Sequence, residues 1–164
     1  ANMTDRYAAL AASVSAWTPH AEALLGNFRT MFTADPLVLD KWLVLNAVAP
    51  EPNVVQRVTA ILADPSFPRN NPNRLRALVG SFALSNPSKF AKADGSGFRF
   101  VTEFVADIDK RNPSVASRIL TAFRIWRSYE PARQGAAEAA LTALRDAGGL
   151  SRNTADILER TLAG

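Results

Sequence analysis

Few side chains in this sequence are equipped for bond-making chemistry. There is one histidine, His20, and no cysteine. A two-histidine zinc helix of the H-E-x-x-H type therefore cannot be built within these 164 residues, and neither can a thiolate zinc site, an iron–sulfur cluster or a disulfide. A nucleophilic triad would have only His20 as its base, and no strained serine turn of the G-x-S-x-G type occurs. His20 follows Thr18-Pro19 at a helix start, where a solvent-exposed first-turn residue is expected. The carboxylates offer no acid–base pair. Asp107 and Asp109 are two apart on a helix and face different ways, while Glu103 and Asp107, four apart, fit a solvated helix face. Asp94-Gly95-Ser96-Gly97 is glycine-rich but lacks the lysine and spacing of a phosphate loop, so a turn with glycines at positive φ is expected there.

What remains is arginine, which makes up most of the basic residues and suits the recognition of carboxylates. The net charge is only +4 and the basic residues are scattered. Arg69, Arg74 and Arg76 come nearest to a cluster, which is too thin for a nucleic-acid face. No stretch approaches the ~18 consecutive apolar residues of a membrane span. The opening residues have no charged region followed by an apolar one, so no signal peptide is expected. Met3 is not at position one, which suggests a piece cut from a longer chain or tag residues ahead of a start. The lack of cysteine fits a reducing, cytoplasmic setting.

The elements that must position these arginines are helices. Asp or Asn followed by Pro occurs at positions 35, 64, 71, 86 and 112. The Asn or Asp side chain accepts a free first-turn amide, and the proline that follows has no amide to leave unpaired. Asp64-Pro65 instead opens a loop, and the other four start helices or a short turn. Apolar spacing and caps predict helices over 3–16, 19–32, 36–47, 53–62, 72–84, 97–110, 113–127 and 131–147. A short turn is predicted at 87–90, and a last helix to residue 162 capped by Ser151. In the seventh, Val115, Ile119, Phe123 and Trp126 share one face. Trp17, Trp42 and Trp126 are expected in the core or between helices. Short links make consecutive helices antiparallel neighbours. Such an array fits either a bundle or a helical-repeat solenoid, and no fixed sequence period is visible.

Beyond helix grammar, the sequence carries the run Asn71-Pro72-Asn73-Arg74-Leu75-Arg76-Ala77-Leu78-Val79-Gly80-Ser81-Phe82. Ser85-Asn86-Pro87, Asp94-Gly95-Ser96-Gly97 and Arg111-Asn112-Pro113-Ser114-Val115-Ala116-Ser117-Arg118 follow it. With the opening Asn2-Met3-Thr4-Asp5-Arg6 and Leu39-Asp40-Lys41-Trp42, this pattern resembles the C-terminal domain of the bacterial aminopeptidase N family, zinc-dependent gluzincin peptidases. The resemblance covers essentially the whole chain. It implies an all-α fold, a right-handed superhelix of about eight to nine paired antiparallel helices of the armadillo/HEAT kind, forming one domain over residues 1–164. It implies a non-catalytic part of a peptidase that removes N-terminal residues. This part would close over the catalytic domain of the same polypeptide and help to enclose the chamber where peptides bind. Zinc and its ligands would belong to the parent enzyme, with no cofactor in this chain, no nucleic-acid partner and no membrane. Arg76 and Arg118 match positions that the family uses on the chamber wall. Ser114 stands where bacterial relatives carry glutamine. A free-standing helical-repeat scaffold for a protein or peptide partner is the alternative that the helices alone also allow.

Overall fold

The computed structural model describes residues 2–164; Ala1, where the expected domain limit falls, lies outside them. The helices are α1 (Met3–Ser15), α2 (Ala21–Met31), α3 (Pro36–Ala47), α4 (Val54–Ala63), α5 (Pro72–Leu75), α6 (Ser81–Ser85), α7 (Pro87–Phe90), α8 (Ser96–Ile108), α9 (Pro113–Leu120), α10 (Pro131–Ala147) and α11 (Arg152–Ala163). A π-helical turn, Arg76–Gly80, joins α5 to α6 in one rod, and a 3-10 helix, Thr121–Ser128, continues α9. Among the described residues there are thus nine rods and the short α7, with no strand. The result is an all-helical array of the armadillo type. Neighbours in sequence pack as neighbours in space: α1 on α2, α2 on α3, α3 on α4, α8 on α9, and α10 on α11. Contacts one step further along, α8 with α10 and α9 with α11, carry the stack forward as in a repeat protein.

Local chemistry sets the starts. Asp35 accepts the amides of Leu37 and Val38, Asn71 those of Asn73 and Arg74, and Asn112 that of Val115. Asp64 stands past the end of α4 and accepts both the amide and the hydroxyl of Ser66, as a loop-opening residue would. Asn86 departs from the expected cap. Its side-chain amide is buried and donates to the carbonyls of Ala47 (3.0 Å) and Ala49 (3.2 Å), closing the C-terminal end of α3 instead of its own helix.

Two further departures shape the arginine-bearing face. The fifth rod widens at Arg76–Gly80, so three successive residues, Leu78, Val79 and Gly80, are all buried. The seventh tightens after Leu120. One buried stripe along it runs Val115, Ile119, Phe123, Trp126, and the last step of three matches a helix with ~3.0 residues per turn. Phe90 anchors the core nearby. Its ring meets Phe98 and Phe123 edge to face, each with centroids 5.0 Å apart, the geometry that aromatic quadrupoles favour.

The tryptophans serve packing as expected. Trp42 donates to the carbonyl of Leu25 (2.9 Å) and Trp126 to that of Thr161 (2.8 Å), while Trp17 is half-buried beneath the guanidinium of Arg57. Of the two glycines in the Asp94–Gly97 turn, only Gly95 needs a positive φ, at 74°. Gly97 serves close approach: a Cβ there would lie 2.3 Å from the carbonyl oxygen of Phe90.

Candidate functional site

Arg76 opens the π turn and Arg118 lies in the last turn of α9. Both side chains are exposed, and among the described residues neither has an ion-pair partner. The two helices meet where Gly80 faces Ile119. A Cβ on Gly80 would lie 3.7 Å from that of Arg76 and 4.0 Å from Cγ1 of Ile119. The NRLR run therefore holds two arginines with opposite fates. Arg74 is buried and paired to Asp40 at 2.6 Å, tying α5 to α3, whereas Arg76 is exposed to solvent. Ser114 is exposed one turn before Arg118, with its carbonyl accepting the hydroxyl of Ser117.

Arg118 lines a surface groove of about 330 Å³ between α6–α7 and the 3-10 helix, together with Leu84, Pro87, Arg124, Ile125 and Tyr129. Arg76 and Ser114 lie outside that lining. No carboxylate lines the groove, so its two guanidiniums face solvent uncompensated. Leu84 and Ile125 are 44% and 51% exposed, so the groove also presents open apolar surface. Burial pushes the phenol of Tyr129 above its usual range, so it stays protonated near neutral pH and can donate a hydrogen bond.

Sequence reasoning missed Arg124. Six residues beyond Arg118, it would lie well around a continuous α-helix, about 120° away. In the 3-10 segment residues three apart eclipse, which brings Arg118, Thr121 and Arg124 to within about 40° of one another. The available signal was the final apolar spacing of three, Phe123 to Trp126.

Other polar clusters are self-satisfied. Arg57 donates to Glu22, to Glu51 (2.9 Å) and to Asn46 (3.2 Å), joining α2, α3 and α4. The hydrogen bond from Arg57 holds the Glu22 carboxyl below its usual range, against a smaller opposing effect of burial. Asp109, buried, accepts from Ser151 and Thr154. Glu103 and Asp107 are exposed, and Asp107 pairs with Arg111 at 2.6 Å. His20 is exposed ahead of α2. Among the described residues no group of three or more His, Cys, Asp or Glu side chains is placed to hold a metal ion.

Residues 1–163 match the family described as a domain of unknown function, DUF3458_C, with ARM repeats. The chain is 41% identical over 159 residues to aminopeptidase N of Escherichia coli and 37% identical over 161 residues to that of Haemophilus influenzae. These alignments take in 97% and 98% of this chain but 18% of either relative. It therefore spans under a fifth of the length of the curated relatives it matches. The crystal structure of Legionella pneumophila aminopeptidase A in complex with aspartic acid superposes with a TM-score of 0.89 at 28% identity, over 99% of this chain and 19% of that one. With nearly every residue matched and the helical array shared, this chain belongs to the DUF3458_C ARM-repeat family, the C-terminal domain of aminopeptidase N homologues.

Proposed function

We propose that this chain, as one unit over residues 1–164, is the non-catalytic lid of a zinc metallo-aminopeptidase. It closes the active-site chamber over the catalytic domain of the same polypeptide and helps to position peptide substrates there. The observation that carries the reading is the likeness to aminopeptidase N across 97% of this chain and only 18% of the relative. Zinc, its ligands and the hydrolytic chemistry belong to the rest of the parent, which we place in the cytoplasm. This chain alone has no metal-ligating cluster among its described residues and is proposed to be inactive.

Arg76 and Arg118 are the side chains proposed to face the peptide. Arg74 is buried and paired with Asp40, whereas these two are exposed and have no ion-pair partner among the described residues. A guanidinium binds a carboxylate through two parallel hydrogen bonds, which orients it as well as attracting it. Ser114 adds a hydroxyl one turn away on the same side of α9.

The test uses the full-length enzyme that carries this domain. Arg118→Ala is expected to raise KM about fivefold for peptides of three or more residues, the loss of one exposed charge-assisted hydrogen bond. Unchanged KM and turnover at every peptide length for both Arg118→Ala and Arg76→Ala would overturn the positioning role. Peptide hydrolysis by the 164-residue chain on its own would overturn the lid reading as a whole.

A further inference from the structure

The groove beside Arg118 carries more than that arginine. Arg124 stands on the same face of the rod, brought there by the change from α to 3-10 winding. The backbone distance between the two positions is about 10 Å along the axis, short enough for two long side chains to converge on a ligand between them. Two like charges on one face repel, and no carboxylate in the lining relieves them. Leu84 and Ile125, across the groove from each other on α6 and the 3-10 helix, leave about half their surface in water. Tyr129 offers a neutral hydroxyl at the edge. An occupant that satisfied every part of this lining would bring a carboxylate to the guanidiniums and an apolar side chain to Leu84 and Ile125.

We infer that the groove lined by Leu84, Arg118, Arg124 and Ile125 is a subsite for the C-terminal end of a short peptide, with Arg118 and Arg124 clamping its free carboxylate and Leu84 and Ile125 receiving an apolar last side chain. This rests on the reading of the domain as a peptidase lid and adds a residue, Arg124, and a preference to it. A peptide's last residue suits the lining better than an internal acidic residue does. In the last residue the carboxylate and the side chain branch from one carbon, so both can be seated together in a groove of this size. An internal aspartate or glutamate carries its charge at the end of the side chain, and its apolar neighbour hangs from a different carbon.

The experiment compares three peptides that share all but their last position: one ending in leucine with a free carboxylate, one ending in leucine amide, and one ending in serine with a free carboxylate. KM is measured with the full-length enzyme carrying this domain. The free leucine acid is expected to have a KM about tenfold below the amide, one to two charge-assisted hydrogen bonds being at stake. Arg124→Ala should reduce that ratio at least about threefold, and Arg124→Lys, which keeps the charge but not the planar fork, should restore part of it. Replacing Leu84 and Ile125 together by serine should remove the leucine-over-serine preference while the acid-over-amide ratio persists. If Arg118→Ala lowers the acid-over-amide ratio but Arg124→Ala leaves it at the wild-type value, this subsite is wrong and the lid reading stands. If no variant at 76, 118 or 124 alters any peptide constant, the subsite and the positioning role are both wrong.

Discussion

The carboxylate of Asp109 accepts the hydroxyl of Ser151 at 2.8 Å from a position forty-two residues away, and it accepts the Ser151 backbone amide as well. Ser151 is the cap of α11, whose hydroxyl also takes the amide of Thr154. Asp109, just past the end of α8, therefore caps the cap. It also accepts from the hydroxyl of Thr154, a residue with no exposed surface. One buried carboxylate thus ties the start of α11, the helix that closes the array, to the end of α8.

Asp109→Ala is accordingly expected to destabilise the fold by about 3 kcal/mol, because the half-buried Ser151 amide and the buried Thr154 hydroxyl lose their acceptor together. In thermal unfolding this is a fall of about 10 °C. Adding Thr154→Val should recover part of the loss, since removing both partners of a buried hydrogen bond costs less than removing one. Hydrogen exchange should show the opening concentrated in α11. An equal loss in the single and double variants would count against the clamp.

Glu22 and Arg57 set an acid limb on stability. The folded-state value of Glu22 is lowered, chiefly by the hydrogen bond from Arg57. A lowered carboxyl stabilises the fold fully above its unfolded value, near pH 4.3, and loses that contribution as the pH falls through the folded value. Asp64 and Asp94 are lowered in the same direction, each first by the hydroxyl of its following serine. Urea midpoints of the wild type should therefore fall below about pH 4.3, and Glu22→Gln should lower the midpoint at neutral pH while flattening the decline. Parallel curves for the two proteins would dismiss the pair as a stabilising contact.

Arg57 itself has a larger role, because it serves Glu51, whose side chain is only 7% exposed. Arg57→Met removes the guanidinium that lies over Trp17 and takes a donor from both Asn46 and Glu51, leaving Glu51 the amide of Asn53. The expected cost is about 2 kcal/mol, below the usual penalty for a broken buried pair because Arg57 is partly open to water. Arg57→Met with Glu51→Gln should recover some of it, measured in the same melts.

The starts of the helices were legible because cap and proline are adjacent residues, and the physics of a cap needs nothing further away. Asp35, Asn71 and Asn112 follow that local logic. Asn86 has the same pair of residues but donates to α3 instead, since its burial offers it two carbonyls that no local pattern reveals. Asp109 was equally hidden: its partners lie on a helix three rods later, and in the sequence it resembles its solvated neighbour Asp107. In the candidate site, Arg76 and Arg118 were visible through motifs, whereas Arg124 depended on a change of helical winding. A spacing of three in place of four is a faint mark of that change, because one step of three occurs in any α-helix.

Gly97 and Gly135 separate close approach from simple helix propensity. Both lie inside helices, in α8 and α10. A methyl group on Gly97 would press on the carbonyl oxygens of Phe90 and Lys89, at 2.3 and 2.5 Å. Those atoms are backbone, so α7 would have to move away from α8, disturbing the contacts of Phe90 with Phe98 and Phe123. Gly97→Ala should cost about 2–3 kcal/mol through overpacking. At Gly135 nothing lies within 4 Å of the new methyl group, so Gly135→Ala should stabilise the protein by about 0.5–1 kcal/mol through helix propensity alone. Because α7 also lines the groove with Arg118 through Pro87, Gly97→Ala in the full-length enzyme should raise KM for peptides with a free C-terminus, and Gly135→Ala should not. Opposite signs in melting, with only the destabilised variant affected in KM, would show that packing of α7 on α8 holds the groove in shape.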